Sequence, residues 1–382
     1  MADQSGLFIL LERLLPRLKL AIVLGLSCAV AASASAQEVD LSIPEGVLPP
    51  EIPPNNPPTA AKIELGKKLF FDMRLSSDGT VSCATCHDPR HGFADGRGQK
   101  TSAGVGGQLG ARNAPTVLNA AFFSEQFWDG RAATLEEQAL GPFINPIEMG
   151  IPDLPALAEM VAGLPEYPAL FAAAFGSDEV TAEKIGQAIA SFERTIISLK
   201  APIDRFTAGD QDAISESARR GWELYNGKAR CNNCHGHVDA FPLFTDDDYH
   251  NIGVATQAAG FEKLGRRVEK SPDSFEELAG EPAVDELGRF AVTKQPKDIG
   301  AFKTPHLRSI ALTPPYMHDG SEATLLDVVE YYDRGGNPNP WLDGEMRPLS
   351  LTDQEKADLV ELMKSFTSED LGRFEELGKL MP

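Results

Sequence analysis

Along this chain apolar positions recur at helical spacing, and no stretch of sustained two-residue alternation stands out. In residues 325–333, Leu325, Val328, Val329 and Tyr332 fall at i, i+3, i+4 and i+7. That spacing predicts a helix with these four on its buried face and Tyr331 on its flank. The runs "AEKIGQAIASFERTIISL" (182–199) and "ISESARRGWELY" (214–225) also read as helices. Another is predicted to start at Thr134, an N-cap with Glu137 three residues on, and to end at Gly141-Pro142. Gln138 shares a face with Leu135 and so points inward. Residues 41–58 are proline-rich and read as extended, and "LKAPIDRFTAGDQD" (199–212) reads as a connector. The expected fold class is mainly α.

The N-terminus has a different pattern. Arg13, Arg17 and Lys19 precede the apolar run 20–34, and Ala34-Ser35-Ala36 follows. This is the layout of a signal peptide cleaved after Ala36, and the run is shorter than the ~18 residues of a membrane span. We therefore expect an exported, periplasmic protein with no membrane span. Removing 1–36, with three basic and two acidic residues, takes the net charge from −21 to −22. So acidic a surface excludes nucleic acid as a partner and favours basic ones.

Cys28 leaves with that segment, and the remaining cysteines are Cys83, Cys86, Cys231 and Cys234. They form "CATCH" (83–87) and "CNNCH" (231–235), both C-x-x-C-H, the c-type haem attachment signature. Cysteines three apart lie along one face of a helical turn, where their sulfurs meet two vinyl groups of one haem. His87 and His235 then ligate the irons. Zinc also uses Cys-x-x-Cys pairs but does not require histidine directly after the second cysteine. Two motifs 148 residues apart predict one haem per domain, with domains at 37–205 and 206–382. Glu148 lies in the apolar loop "PFINPIEMG", where a carboxylate is a candidate for proton transfer.

Haem motifs alone fit a di-haem electron carrier as well as an enzyme. The stretch "RNAPTVLNAAFFSEQFWDGRAATLEEQALGPFINPIEMG" (112–150), with "YHNIG", "GAFKTPHLRSIALTPPYMHDGS" and "VVEYYDRGG", resembles the bacterial di-haem cytochrome c peroxidases and the related MauG-type enzymes. The resemblance covers nearly the whole chain after residue 36, in order. It implies two cytochrome c-like domains and hydrogen peroxide as substrate at the first haem. Glu148 would move the proton between the peroxide oxygens and Gln138 would hold peroxide or water. Trp128 would relay electrons between the haems, and Asn113, Thr313 and Pro315 would hold a calcium ion between the domains.

Two departures matter. The loop in which relatives carry a blocking histidine has Val105 at that position, which implies an open first iron in the diferric protein. The second iron usually takes a methionine fourteen residues after the histidine of "HDG"; here that position is Tyr332, with Met317 and Met346 as alternatives. Tyrosine is the MauG-type arrangement. The reductant implied is a small cytochrome c or cupredoxin; the other version is oxidation of side chains on a partner protein. The surface tryptophan that serves MauG-type enzymes before the second motif is replaced by Ala229, which counts against synthesis of that tryptophan-derived cofactor and leaves Trp222 or Trp341 to serve another partner. His91, His237 and His306 read as surface or structural, whereas His250 and His318 sit in family motifs.

Overall fold

Hydroxyl side chains start the main helices. Thr59, Thr134, Thr181, Ser215, Thr324 and Thr352 each accept the backbone N–H three residues on. Each satisfies a donor that the first helical turn leaves unpaired. A computed structural model describes residues 39–281 and 283–381; the predicted signal segment lies outside the described residues. Among them no helix is long and apolar enough to cross a membrane.

In chain order the elements are α1 (Ala60–Phe71), α2 (Cys83–Cys86), α3 (Leu135–Ile144), α4 (Leu154–Ala162), α5 (Tyr167–Phe175), α6 (Ala182–Glu193) and α7 (Pro202–Thr207). Then come α8 (Glu216–Asn226), β1 (Tyr249–His250), α9 (Phe261–Lys270), α10 (Phe290–Thr293), β2 (Phe302–Lys303), α11 (Leu325–Asp333), α12 (Asp353–Lys364) and α13 (Glu375–Gly378). The strands pair antiparallel, Tyr249 opposite Lys303 and His250 opposite Phe302. The fold is mainly helical, as the spacing predicts.

One helical plan occurs twice. Helix α1 packs on α6, and α8 packs on α12. Each crossing is close enough to need a glycine: a Cβ on Gly66 would lie 1.9 Å from the Ala188 carbonyl oxygen, and one on Gly221 would lie 2.2 Å from that of Asp358. Gln126 bridges Ala132 and Tyr316 bridges Glu322; Asn119 and Ser309 are both left-handed; α3 follows Thr134 and α11 follows Thr324. In every pair the second number exceeds the first by 190.

Each copy has its own core. The first gathers Leu65, Phe70, Phe143, Ile189 and Phe192; the second gathers Ile203, Tyr225, Phe244, Leu362 and Phe366. A third cluster, around Phe261, Leu287 and Phe290, packs against Trp128. Burial of each such side chain contributes about 1.5–3 kcal/mol. Phe374, near the C-terminus, packs into the first core rather than the second.

Two local expectations need correction. Helix α3 does not stop at Gly141-Pro142 but runs to Ile144 with Pro142 inside. Pro142 has no N–H for the Gln138 carbonyl. The last turn is held from outside instead, because Met149 N–H donates to Pro142 O (3.2 Å) and Ile151 N–H to Phe143 O (2.8 Å). Residues 41–58 form no helix or strand, as expected, but they are fastened to the body. Leu48 N–H donates to Ala240 O at 2.9 Å, and the buried Asn56 amide donates to Gln187 O at 2.9 Å.

Candidate active site

The two C-x-x-C-H motifs hold their histidines in the same way. His87 N–H closes the turn on Cys83 O at 3.0 Å, and His235 N–H closes on Cys231 O at 2.8 Å. His87 Nδ1 lies 3.2 Å from Phe93 O, and His235 Nδ1 lies 2.9 Å from Phe244 O. A carbonyl only accepts, so each Nδ1 carries the proton and each Nε2 lone pair is left for a metal. Burial lowers both imidazole pKa values, which keeps the rings in the neutral, ligating form. The four cysteines are unpaired, and burial pushes the Cys231 thiol up to about 12. Paired cysteines beside an imidazole with a free Nε2 are a donor set that fits haem c at both motifs.

A cavity of about 290 Å³ opens beside the second motif, bordered by Cys231, Cys234, His235 and Tyr332. Leu325, Val328 and Val329 border it too, so the predicted face of α11 is the one the fold uses. Met317 and Met346 also reach the cavity. Tyr331 is not on the flank as expected: it is fully buried, and its hydroxyl donates to Ile252 O at 2.9 Å. Helix α11 is covered on two sides, so its apolar arc is wider than one stripe. Burial raises the Tyr332 phenol pKa.

His250 and His318 border the same cavity, but each is engaged elsewhere. His250 sits between Asp246 (3.0 Å) and Asp343 (2.7 Å), and its pKa is pushed up to about 11, first by Asp246. His318 Nε2 is 2.8 Å from Glu286, which also pairs with Arg112 at 2.9 Å. Asp343 and Glu286 were not legible as partners in the sequence, since they lie 93 and 32 residues from the histidines they meet; Asp246 is only four residues from His250. His306 is buried and bonded to Leu118 O at 2.6 Å, a structural role, while His91 is exposed.

On the first-motif side the loop after α3 folds back along that helix. Val105 N–H donates to Glu148 O at 3.0 Å, so these two positions meet. The Glu148 side chain is half-buried and makes no hydrogen bond among the described residues. Burial raises its pKa, opposed by Arg131, and its charge reaches both Cys83 and Cys86. Gln138 is half-buried on α3. Its neighbour Glu137 does not complete a capping box with Thr134; its carboxylate accepts from Ala133 N–H at 2.8 Å. By the 190-residue repeat the counterpart of Tyr332 is Pro142, which offers no ligand.

Trp128, Asn113, Thr313 and Pro315 converge on the cavity wall. The Trp128 indole N–H donates to Asn113 O at 2.9 Å, and its ring meets His318 edge-on at 6.5 Å. Asn113 N–H donates to His318 O at 2.8 Å. The Asn113 side-chain amide donates to Lys100 O at 3.0 Å, which turns its oxygen away from that bond.

Comparisons agree with this geometry. The sequence profile of the di-haem cytochrome c peroxidases matches residues 60–212. A cytochrome-c peroxidase, IdrP1, from a Pseudomonas species is 39% identical over 349 residues, 89% of this chain and 90% of that protein. The methylamine utilization protein MauG of Methylorubrum extorquens is 39% identical over 351 residues, 90% of each. A solved MauG-like protein associated with microbial copper homeostasis superposes with a TM-score of 0.71 at 32% identity, over 86% of this chain and 95% of that one. The two helical copies are therefore cytochrome c-like domains, and the family implies two haem c groups. The chain belongs to the di-haem cytochrome c peroxidase and MauG family of peroxidase-type oxidoreductases.

Proposed function

We propose that this protein is a periplasmic peroxidase that reduces hydrogen peroxide at its first haem, with electrons passed from the second. When bound, haem supplies the iron that takes up the oxidising equivalents of peroxide. The chain's own residues do the rest. His87 and His235 hold the metal side, each fixed through Nδ1. Glu148, free of other bonds and raised in pKa by burial, takes a proton from one peroxide oxygen and returns it to the other. Gln138 holds the peroxide or an ordered water beside it. Val105 has no donor atom and would block no position on an iron held there, so peroxide would need no prior reduction to reach it.

Trp128 carries electrons between the haems, its N–H anchored on Asn113 O. Tyr332, on the cavity wall with His235, would ligate a haem iron held there as a hard anionic donor, which favours higher oxidation states. Asn113, Thr313 and Pro315, which share one cavity wall, would supply oxygen atoms to a calcium ion, the ligand type that suits this cation. The observation that carries the reading is Glu148 poised beside Val105, with a carboxylate no other residue uses.

Turnover of peroxide with a reduced small cytochrome c or cupredoxin tests it. Glu148→Gln should lower the rate by about 10²–10⁴-fold, the usual worth of a positioned proton-transfer group. A rate unchanged by that substitution overturns the role of Glu148. A second reading is oxidation of side chains on a partner protein. It is favoured by MauG being as similar to this chain as IdrP1 is. Failure to accept electrons from any soluble donor, with peroxide still consumed, would select it.

A further inference from the structure

We propose that Trp222, stacked on Tyr225, is the surface terminus of the electron path to the second haem. An external reductant delivers electrons there, and Trp222 itself is oxidised when none is present. The inference rests on the peroxidase reading above. Helix α8 places the two residues three apart on one face, with ring centroids 5.7 Å apart and planes only 8° from parallel. Tyr225 is buried, borders the second cavity beside Cys231, Cys234 and His235, and donates its hydroxyl to the His235 carbonyl. Trp222 is half-buried, gripped edge-on by Phe206 and His237 at 6.2 Å each. The pair thus connects the inner wall of the cavity to water through one parallel stack.

Chemistry chooses between the two rings. A phenol loses an electron easily only when its proton leaves at the same time. The Tyr225 proton rests on a backbone carbonyl, which cannot keep it, so the phenol passes charge without holding it. An indole loses an electron without that requirement. Oxidising charge arriving at the stack therefore settles on Trp222. Without a reductant the ring gives up two electrons and two protons and gains an oxygen atom from water. Those electrons and protons convert one hydrogen peroxide to two waters, so the balance is indole plus peroxide to hydroxyindole plus one water.

Trp341 supplies an internal control. It is also half-buried, but it packs on Phe261 in the third cluster, its N–H faces Glu269 at 3.2 Å, and it does not border the cavity. The holoprotein, carrying both haems, is treated with hydrogen peroxide without reductant and mapped by peptide mass spectrometry. Oxygen addition should appear at Trp222, not at Trp341, and excess ferrocyanide should suppress it. Trp222→Phe should lower ferrocyanide-supported turnover at least tenfold while leaving the spectral response to the first equivalent of peroxide unchanged. Peroxide consumption with Trp222 unmodified, or modified no more than Trp341, overturns the inference and leaves the peroxidase reading standing. If the wild-type protein consumes no peroxide at all, the peroxidase reading fails and this inference with it.

Discussion

Tyr331 and Tyr332 are neighbours on α11, yet they serve different surroundings. Periodicity placed Tyr332 on the cavity face, and the fold agrees. It misplaced Tyr331, because Ile252 covers a second side of the helix and no local pattern announces that cover. Substituting Tyr332 by Phe should raise the second haem's reduction potential and alter its optical spectrum, both read by spectroelectrochemistry; an unchanged potential and spectrum would remove Tyr332 as ligand. Glu193 was not legible at all, since "SFERT" looks like an ordinary helix end. It is 5% exposed with Oε2 unpartnered, and its neighbour Arg194 is committed to Glu136 at 2.7 and 3.0 Å. Burial pushes the Glu193 carboxyl up to about 8. Between an ordinary glutamate value and that figure the folded chain holds a proton that the unfolded chain has released. Stability contributed by the neutral acid is therefore complete at low pH and lost as pH rises towards 8, by at most about 1.4 kcal/mol per pH unit. Glu193→Gln should flatten that loss in denaturation curves recorded from pH 5 to 9.

At the scale of elements, helix starts were readable and helix ends were not. Thr134 caps α3 as its side chain predicts, because the capping bond is local. The stop at Pro142 failed because tertiary bonds from Met149 and Ile151 support the last turn. The repeated crossing of α1 on α6 and α8 on α12 was also hidden, since a glycine inside a helix pattern does not say what approaches it. Gly66→Ala and Gly221→Ala both force a methyl group into a backbone carbonyl. Each should destabilise its own domain by about 1–3 kcal/mol or more. Chemical denaturation followed at haem absorbance would show it, and full stability in either variant would mean the crossing is looser than described.

Across the whole molecule, the two halves share a plan but are not closed separately. Phe374 meets Phe93 edge-on at 5.2 Å, and the Phe93 carbonyl is the acceptor that orients His87. Phe374→Ala should therefore cost about 3 kcal/mol of stability and loosen ligation at the first haem, visible as a change in its absorbance but not in that of the second. The haem motifs were legible because covalent attachment demands fixed local spacing. The cavity wall, the Phe374 anchor and the Glu286–His318 pair depend on residues far apart in the chain.

The central claim is that the first haem site meets peroxide without prior reduction and that Glu148 moves the proton. Stopped-flow absorbance of the diferric holoprotein mixed with one equivalent of hydrogen peroxide tests it most directly. The account predicts an immediate spectral response in the wild-type protein, slowed by about 10²–10⁴-fold in Glu148→Gln. A diferric wild-type protein that stays silent until it is reduced, or a Glu148→Gln variant that responds at the wild-type rate, would contradict it.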